Sequence, residues 1–444
     1  MKDATPDSRM PLKRLMHDPE RYQLSNELHS RPFPSLRAPC GAIYLAIRPE
    51  EADRRDQATD RALLTSLIDR FGGQHPAPDA AFYSGELGRY HMKWEAHTEF
   101  VAYTLFLPDI PDEPFSGDPL SHFPEDWLTQ IDGRVIAAAQ VRVEQAGSAE
   151  ESVGIYSDRL HRHFVSESLA TAFVVDGEAL VASDFRLHED GFARIAVVAV
   201  DGVGPRRLGR IVQRLLEIES YKSFALLTLP VARRVAKRVT ELDDKLVLLA
   251  RQATEGAEEA RETLDQLTRL SAEVERLSTE TAYRFGAAGA YEAIVNDRIS
   301  ALREERMAGR QLYSEFMKRR FDPAMRTCRS AERRLHELSG RLARASALLS
   351  TRVNVAVEAQ NQRLLESMDK RADLQLRLQQ TVEGLSVVAI SYYALGLAAA
   401  LVGPIAARFG VSKETATAAL AVPVIGAVWW AVRRIRVRWE RGGR

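Results

Sequence analysis

The sequence predicts an α+β N-terminal cytoplasmic domain with a largely antiparallel sheet, then long antiparallel, coiled-coil-like helices, then a C-terminal two-helix transmembrane hairpin. Three observations predict it. Sixteen of the 19 prolines lie at or before Pro230, and only Pro323 separates Pro230 from Pro404; a stretch so poor in proline and rich in Ala, Leu, Glu and Arg holds long helices, which the earlier part cannot. Before Pro230, short apolar runs alternate with Asp-Gly turn signals, and strands joined by short turns pair antiparallel. Residues 385–405 contain no ionisable group except Tyr392 and Tyr393.

In order along residues 1–230, GAIYLAIRP (41–49) is an apolar strand closed by proline. A helix follows in which Leu63, Leu64, Leu67, Ile68 and Phe71 share one face and Gly72 and Gly73 stop it. HTEFVAYTLFLP, IAAAQVRVEQ, TAFVVDGEALVASDF and FARIAVVAVDG read as strands, with Asp176-Gly177 and Asp190-Gly191 as turns. Residues 151–169 and 205–220 read as helices. Across 231–384, Leu264, Leu267, Ser271, Val274 and Ser278 keep a 3,4 rhythm, and Leu335, Leu338, Leu342, Ala345 and Leu349 keep it better. Breaks are expected at FGAAGAYE (285–292) and RRFDPAMR (319–326). An unbroken helix of roughly 80 residues beyond them reaches about 120 Å.

Residues 385–405 match the roughly 20 residues that cross a hydrocarbon core of about 30 Å. Nine of them are Leu, Ile or Val, which favour insertion against Ser386, Ser391 and the glycines. A second run, 416–432, ends in Trp429 and Trp430, where an interfacial aromatic belt sits. The tail 433–444 holds six arginines, while Arg408 and Lys413 are the only basic residues between the runs. The positive-inside rule then keeps the tail with the N-terminal bulk, so two crossings are expected, with 406–415 as a short external loop. The alternative is a buried helical hairpin in a soluble core.

Equal counts of 61 basic and 61 acidic side chains exclude a globally basic nucleic-acid binder. Cys40 and Cys328 encode neither a disulfide framework nor a zinc knuckle, which fits a reducing compartment. The first 22 residues hold no apolar run of signal-peptide length, so the front of the chain is expected in the cytoplasm. No P-loop, GxSxG or HExxH occurs. Gly202, Gly204 and Gly209 match no phosphate fingerprint, and Pro205 removes an N–H that a phosphate would use. No cofactor or metal is indicated; His161 and His163 in a helix diverge and read as a surface pair.

Two polar groups are candidate sites. Glu27, His29 and Arg31 alternate in NELHSRPF, either as a small acid/base or anion site or as a hydrogen-bonded segment pinning the N-terminus to the domain. His97 and Glu99 have the same spacing on an expected strand, and equally fit a polar face opposite Phe100. Ser386, Ser391, Tyr392 and Tyr393 are the polar groups available to line a wet path, while Gly396 and Ala400 offer a small-residue packing face.

NELHSRPF, KWEAHTEF, LLEIESYKSFALLTLPVAR and the run 351–393 resemble a bacterial domain-of-unknown-function family, number thirty-four twenty-two, across almost the whole chain. The resemblance implies an uncharacterised membrane-anchored protein and carries over no catalytic residue. The outline is also similar to CorA-type magnesium channels, but GLAAALVGPIAARFG lacks their Gly-Met-Asn signature. Three functions remain open: a structural or interaction module held in the bacterial inner membrane by two spans, a divergent oligomeric ion channel or transporter, and a membrane-bound enzyme. The expected partners are the lipid bilayer, further copies of the chain through the long helices, and a cytoplasmic protein.

Overall fold

The computed structural model describes Asp18, Glu20, Arg21, Leu24, Ser25 and residues 33–50, 56–78, 80–252, 257–408 and 412–442. The chain forms two compact units: Met1–Arg251 with Gln266–Ala345, and Gln252–Asp265 with Ser346–Arg444.

The first unit is built on one nine-stranded sheet. Its strands are β1 (Cys40–Arg48), β2 (Phe82–Leu87), β3 (Tyr90–Ala96), β4 (Val101–Leu107), β5 (Arg134–Ala146), β6 (Ala170–Val174), β7 (Ala179–Leu187), β8 (Ala193–Val200) and β9 (Glu305–Arg306). Their order across the sheet is β2-β3-β4-β1-β5-β8-β7-β6-β9. Every pair is antiparallel except β5 with β8, which run parallel from Ala139↔Ala193. β1 and β4 are buried along almost their whole length, so they read as continuous apolar runs, and both faces of the sheet must be covered.

One face is covered by α3 (Pro205–Leu226) and by parts of α5 (Ala257–Leu302) and α6 (Tyr313–Arg408). Leu208, Ile211, Val212 and Leu215 of α3 pack with Val295, Ile299, Tyr313 and Met317 against Tyr44, Phe106, Val141 and Val197. On the other face, Leu64, Leu67 and Ile68 of α1 (Gln57–Phe71) join Trp127 over Ile43, Met92, Tyr103 and Leu105. A separate cluster of Tyr156, Leu160 and Phe164, at the end of the short α2 (Ala149–Ile155), covers Leu180, Ala196 and Val198. α1 is closed by a side-chain cap at its start and by a glycine at its end. Asp56 accepts from the Ala58 N–H at 2.9 Å, and Gly72 takes the left-handed conformation at φ 66°, as a C-terminal cap requires.

The expected helix at 151–169 is instead α2 followed by one π turn and one 3-10 turn through His163. The expected breaks in the long helices also move. α5 runs unbroken through 285–292, because Thr281, Phe285, Ala288, Glu292, Val295, Ile299 and Leu302 form one buried stripe with 3,4 spacing while Gly286 and Gly289 face outward. The stripe earlier in α5 is Leu267, Leu270 and Val274, so Ser271 and Ser278 lie beside it. Pro323 sits inside α6, whose true start at Tyr313 is capped by Glu304, accepting from the N–H of Tyr313 at 2.8 Å and of Ser314 at 3.0 Å. The chain reverses at 303–312 through Arg303 and Gly309, both at positive φ.

Within the first unit, α4 (Thr228–Gln252) is antiparallel to α5 and parallel to α6. Thr228 donates to the Arg284 carbonyl at 3.1 Å and Arg238 pairs with Glu273, whereas Asp243 pairs with Arg341 at 2.5 Å and Thr240 accepts from Arg334 at 3.0 Å. These are the long antiparallel helices that the proline distribution predicts.

The second unit contains the remainder of α6 and α7 (Lys413–Gly442). The apolar windows of these helices are long and apolar enough to cross a membrane, and only 6% of one and 0% of the other is buried.

The glycines before α3 have structural roles. Gly202 holds a turn at φ 98°, and Gly204 caps the helix ahead of Pro205. A Cβ on Gly209 would lie 1.8 Å from the Pro34 carbonyl oxygen, so this glycine lets residues 33–36 lie against α3, where the Leu36 N–H reaches the Pro205 carbonyl at 3.0 Å. Gly209→Ala is expected to destabilise the first unit by about 1–3 kcal/mol through forced displacement of backbone. A denaturant titration that leaves the midpoint unchanged would refute this.

Candidate functional site

The turn between β3 and β4 organises the site. His97 and Glu99 lie in this turn and not on a strand, with the His97 N–H donating to the Phe100 carbonyl at 2.8 Å. Because the chain bends there, their two-residue spacing does not place them on one face. His97 lines an aromatic cavity, whereas Glu99 lines a separate groove.

The aromatic cavity encloses about 400 Å³. The His97 ring stacks on Phe100 at 4.1 Å and Phe100 stacks on Phe224 at 4.3 Å, while Tyr221 stacks on Tyr291 at 5.5 Å. These rings come from the turn, α3 and α5, so the wall exists only in the folded unit. Gln57 and Arg61 of α1 complete it with polar atoms. The size and the mixture of aromatic faces with a few polar groups suit a small planar organic ligand.

A narrow slot of about 20 Å³ shares His97, Phe100 and Tyr221 with the cavity and is also lined by Lys93 and Glu95. Lys93 is only 4% exposed, and its ammonium is held 3.0 Å from Glu95 and 3.0 Å from the Gln213 amide oxygen, to which it donates. Gln213 in turn donates to Glu217 at 2.8 Å, and Glu217 pairs with Arg298. Each buried charge therefore has a counter-charge and a hydrogen bond, as burial demands. Beside it the Tyr44 and Ser220 hydroxyls meet at 2.6 Å. Burial holds the Tyr44 phenol well above its ordinary pKa, so it stays protonated.

Glu99 ties the turn to α5. The Arg284 Nη2 lies 2.5 and 2.6 Å from its two carboxylate oxygens, and the Tyr291 hydroxyl hydrogen-bonds to it. Burial, followed by the negative charge of Glu99, pushes the Tyr291 phenol far up from its usual value. Tyr291 thus faces the aromatic cavity as a neutral hydrogen-bonding group.

Glu27, His29 and Arg31 lie outside the described residues. Ser386 spends its hydroxyl on the Val382 carbonyl at 2.8 Å. Ser391 is buried, while Tyr392 and Tyr393 are exposed with their rings edge-on at 5.8 Å. His161 packs edge-on to Tyr156, and His163 lies 3.5 Å from Glu113; among the described residues no three His, Cys, Asp or Glu side chains gather to hold a metal. Sequence reasoning missed Lys93, Phe100, Tyr221, Arg284 and Tyr291 as site residues. The alternation Lys93, Glu95, His97 in KWEAH was the one local signal, since β3 directs Lys93 and Glu95 to the face that carries the slot.

Arg284→Ala is expected to cost about 3–5 kcal/mol, because it strands a mostly buried carboxylate, and E99Q in the same chain should restore part of the loss. E99Q alone should lower the Tyr291 pKa toward that of free tyrosine, read as a difference in tyrosinate absorbance on alkaline titration. An unchanged titration would remove Glu99 from contact with Tyr291.

No curated protein and no solved structure matches the chain. The likeness to CorA-type channels accordingly gains no support. The family described as Protein of unknown function (DUF3422) matches residues 16–439, and the chain belongs to that family.

Proposed function

We propose that this protein is a membrane-anchored binding module. Two spans, 385–405 and 416–432, hold it in the bacterial inner membrane, and residues 1–230, the helical region 231–384 and the basic tail 433–444 face the cytoplasm. The carrying observation is the pair of apolar helices whose windows are almost wholly unburied. A core helix of a soluble protein would cover such a surface with protein, whereas lipid covers it at no cost in water contact.

The end of the second span supports the same reading. Trp429 and Trp430 are exposed, and the guanidinium groups of Arg433 and Arg434 lie over their rings at 5.0 and 4.8 Å. Stacked indole and guanidinium groups suit the headgroup layer, where an apolar body meets an anionic, wet surface. The buried free thiols of Cys40 and Cys328 suit a reducing cytoplasm.

Anchoring is favoured over conduction by the lack of charge in the first span. The Ser386 hydroxyl is satisfied within its own helix, and no charged side chain lies in 385–405 to attract an ion. Exposed Leu364, Leu365, Met368, Leu378 and Val382 on α6 supply the apolar contacts through which further copies of the chain, or a cytoplasmic protein, would associate. The binding role falls to the aromatic cavity of His97, Phe100, Tyr221 and Tyr291.

The full-length protein is expected to stay in the membrane pellet after carbonate washing, and recovery in the supernatant without detergent would end the reading. In intact spheroplasts, S412C should react with an impermeant maleimide while S116C should not; the reverse pattern would invert the topology. W429A/W430A should weaken retention in vesicles containing anionic lipid while leaving the thermal transition of the soluble unit unchanged.

A further inference from the structure

A second concavity lies on the other side of Glu99 and contains no part of the aromatic cavity's lining. It encloses about 670 Å³ and is built from the end of β1, from α4 and from α5. Four arginines converge there, Arg48, Arg234, Arg238 and Arg284, against two carboxylates, Glu99 and Glu280. Those carboxylates are already engaged. Glu99 is held by Arg284, and Glu280 pairs with Arg276 at 3.4 Å. Arg238 is likewise engaged, by Glu241 at 2.6 Å and by Glu273.

Arg48 and Arg234 differ from the other two. Neither has an ion pair or a side-chain hydrogen bond among the described residues, whereas the other two basic groups of the groove, Arg238 and Arg284, are paired. Two guanidinium groups without a carboxylate partner among the described residues raise the local potential, which favours an anion in the groove. Arg238 and Arg284 are answered by their own carboxylates, so the charge left over is that of Arg48 and Arg234, which a dianion would balance. The guanidinium fork matches tetrahedral oxyanions geometrically and holds them through charge-assisted hydrogen bonds.

The remainder of the groove describes what such an anion is attached to. Pro49, Val231, Val235 and Leu277 give an apolar floor. Tyr283 is 60% exposed, with the Arg284 guanidinium 5.6 Å from its ring centroid. Thr279 and Thr281 donate their hydroxyls to the carbonyls of Glu275 and Leu277, so the arginines remain as the donors. The volume exceeds what a bare inorganic ion occupies and falls in the range of organic ligand sites.

We propose that the groove between the end of β1, α4 and α5 binds a phosphate monoester on an organic body, with Arg48 and Arg234 as its principal anion-binding residues. This site is distinct from the aromatic cavity and independent of the membrane reading. The phosphate has two chemically equivalent sources, a soluble phosphorylated small molecule and the headgroup of a phosphatidic-acid-like lipid.

The test uses the full-length chain in a neutral detergent, titrated calorimetrically with glycerol 3-phosphate and, separately, with water-soluble dibutyryl phosphatidic acid. Binding of at least one probe is expected, weakened by about tenfold for each guanidinium lost in R48Q and R234Q, and weakened further as salt rises. R48K/R234K should recover part of the affinity. Dibutyryl phosphatidic acid binding alone would assign the lipid source, whereas glycerol 3-phosphate binding equally well would assign the soluble one. Absence of binding by both probes, or binding indifferent to R234Q, overturns the proposal. R234Q changes an exposed helical position, so a preserved thermal transition separates lost binding from lost folding. Failure here would leave carbonate-resistant membrane retention untouched.

Discussion

The ion pair between Glu99 and Arg284 joins positions 185 residues apart and fixes how the sheet meets the helices. Both groups are mostly buried, Glu99 12% and Arg284 19% exposed. A charge removed from water to that degree is tolerable only beside its counter-charge, so the turn after β3 and the middle of α5 have one permitted relation. Tyr291 adds a third group to the same carboxylate. Two concavities follow from this constraint, because the bonded cluster fills the space between them. On one side the rings of His97, Phe100, Tyr221 and Tyr291 enclose an aromatic space; on the other the arginines of α4 and α5 gather around Tyr283.

The two spaces differ in how their charges are balanced. In the slot next to the aromatic cavity, Lys93, Glu95, Gln213, Glu217 and Arg298 form a closed relay in which every charge has an opposite neighbour. Such a relay holds α3 against β3, while the cavity beside it is walled by aromatic rings. The groove is unbalanced, since Arg48 and Arg234 add charge that its carboxylates do not answer. Polarity alone would not separate these cases; the accounting of partners does.

The fold was legible where one physical signal dominated. β1, β4, β5, β7 and β8 announce themselves as apolar runs, and α1 carries its cap residues Asp56 and Gly72 in sequence. The β2–β3 hairpin was not legible because Ser84, Gly85, Glu86, His91 and Lys93 dilute its apolar alternation, and its stability comes from Trp94 and Met92 meeting α1. Local glycine and proline signals misplaced the helix breaks, since packing along one buried stripe outweighs a propensity cost of about 1 kcal/mol per glycine. Of the site, the spacing of His97 and Glu99 was visible, but their divergence was not. Their partners Tyr221, Arg284 and Tyr291 lie more than a hundred residues downstream, beyond any pattern that a window of sequence holds.

α6 presents two kinds of exposed apolar surface, and their difference decides which solvent each meets. From Arg363 to Val382 the exposed leucines are interleaved with Arg363, Glu366, Asp369, Lys370, Arg371, Asp373 and Arg377. Charged groups at that density would each cost several kcal/mol in hydrocarbon, so this stretch belongs in water. Beyond Gly384 the charges stop, while Leu385, Val388, Leu397, Leu401 and Ile405 stay exposed. The helical backbone needs no change at that point, because its hydrogen bonds are internal and serve in either medium. One helix can therefore pass from water into lipid on side-chain composition alone, and Gly384 marks where the composition changes.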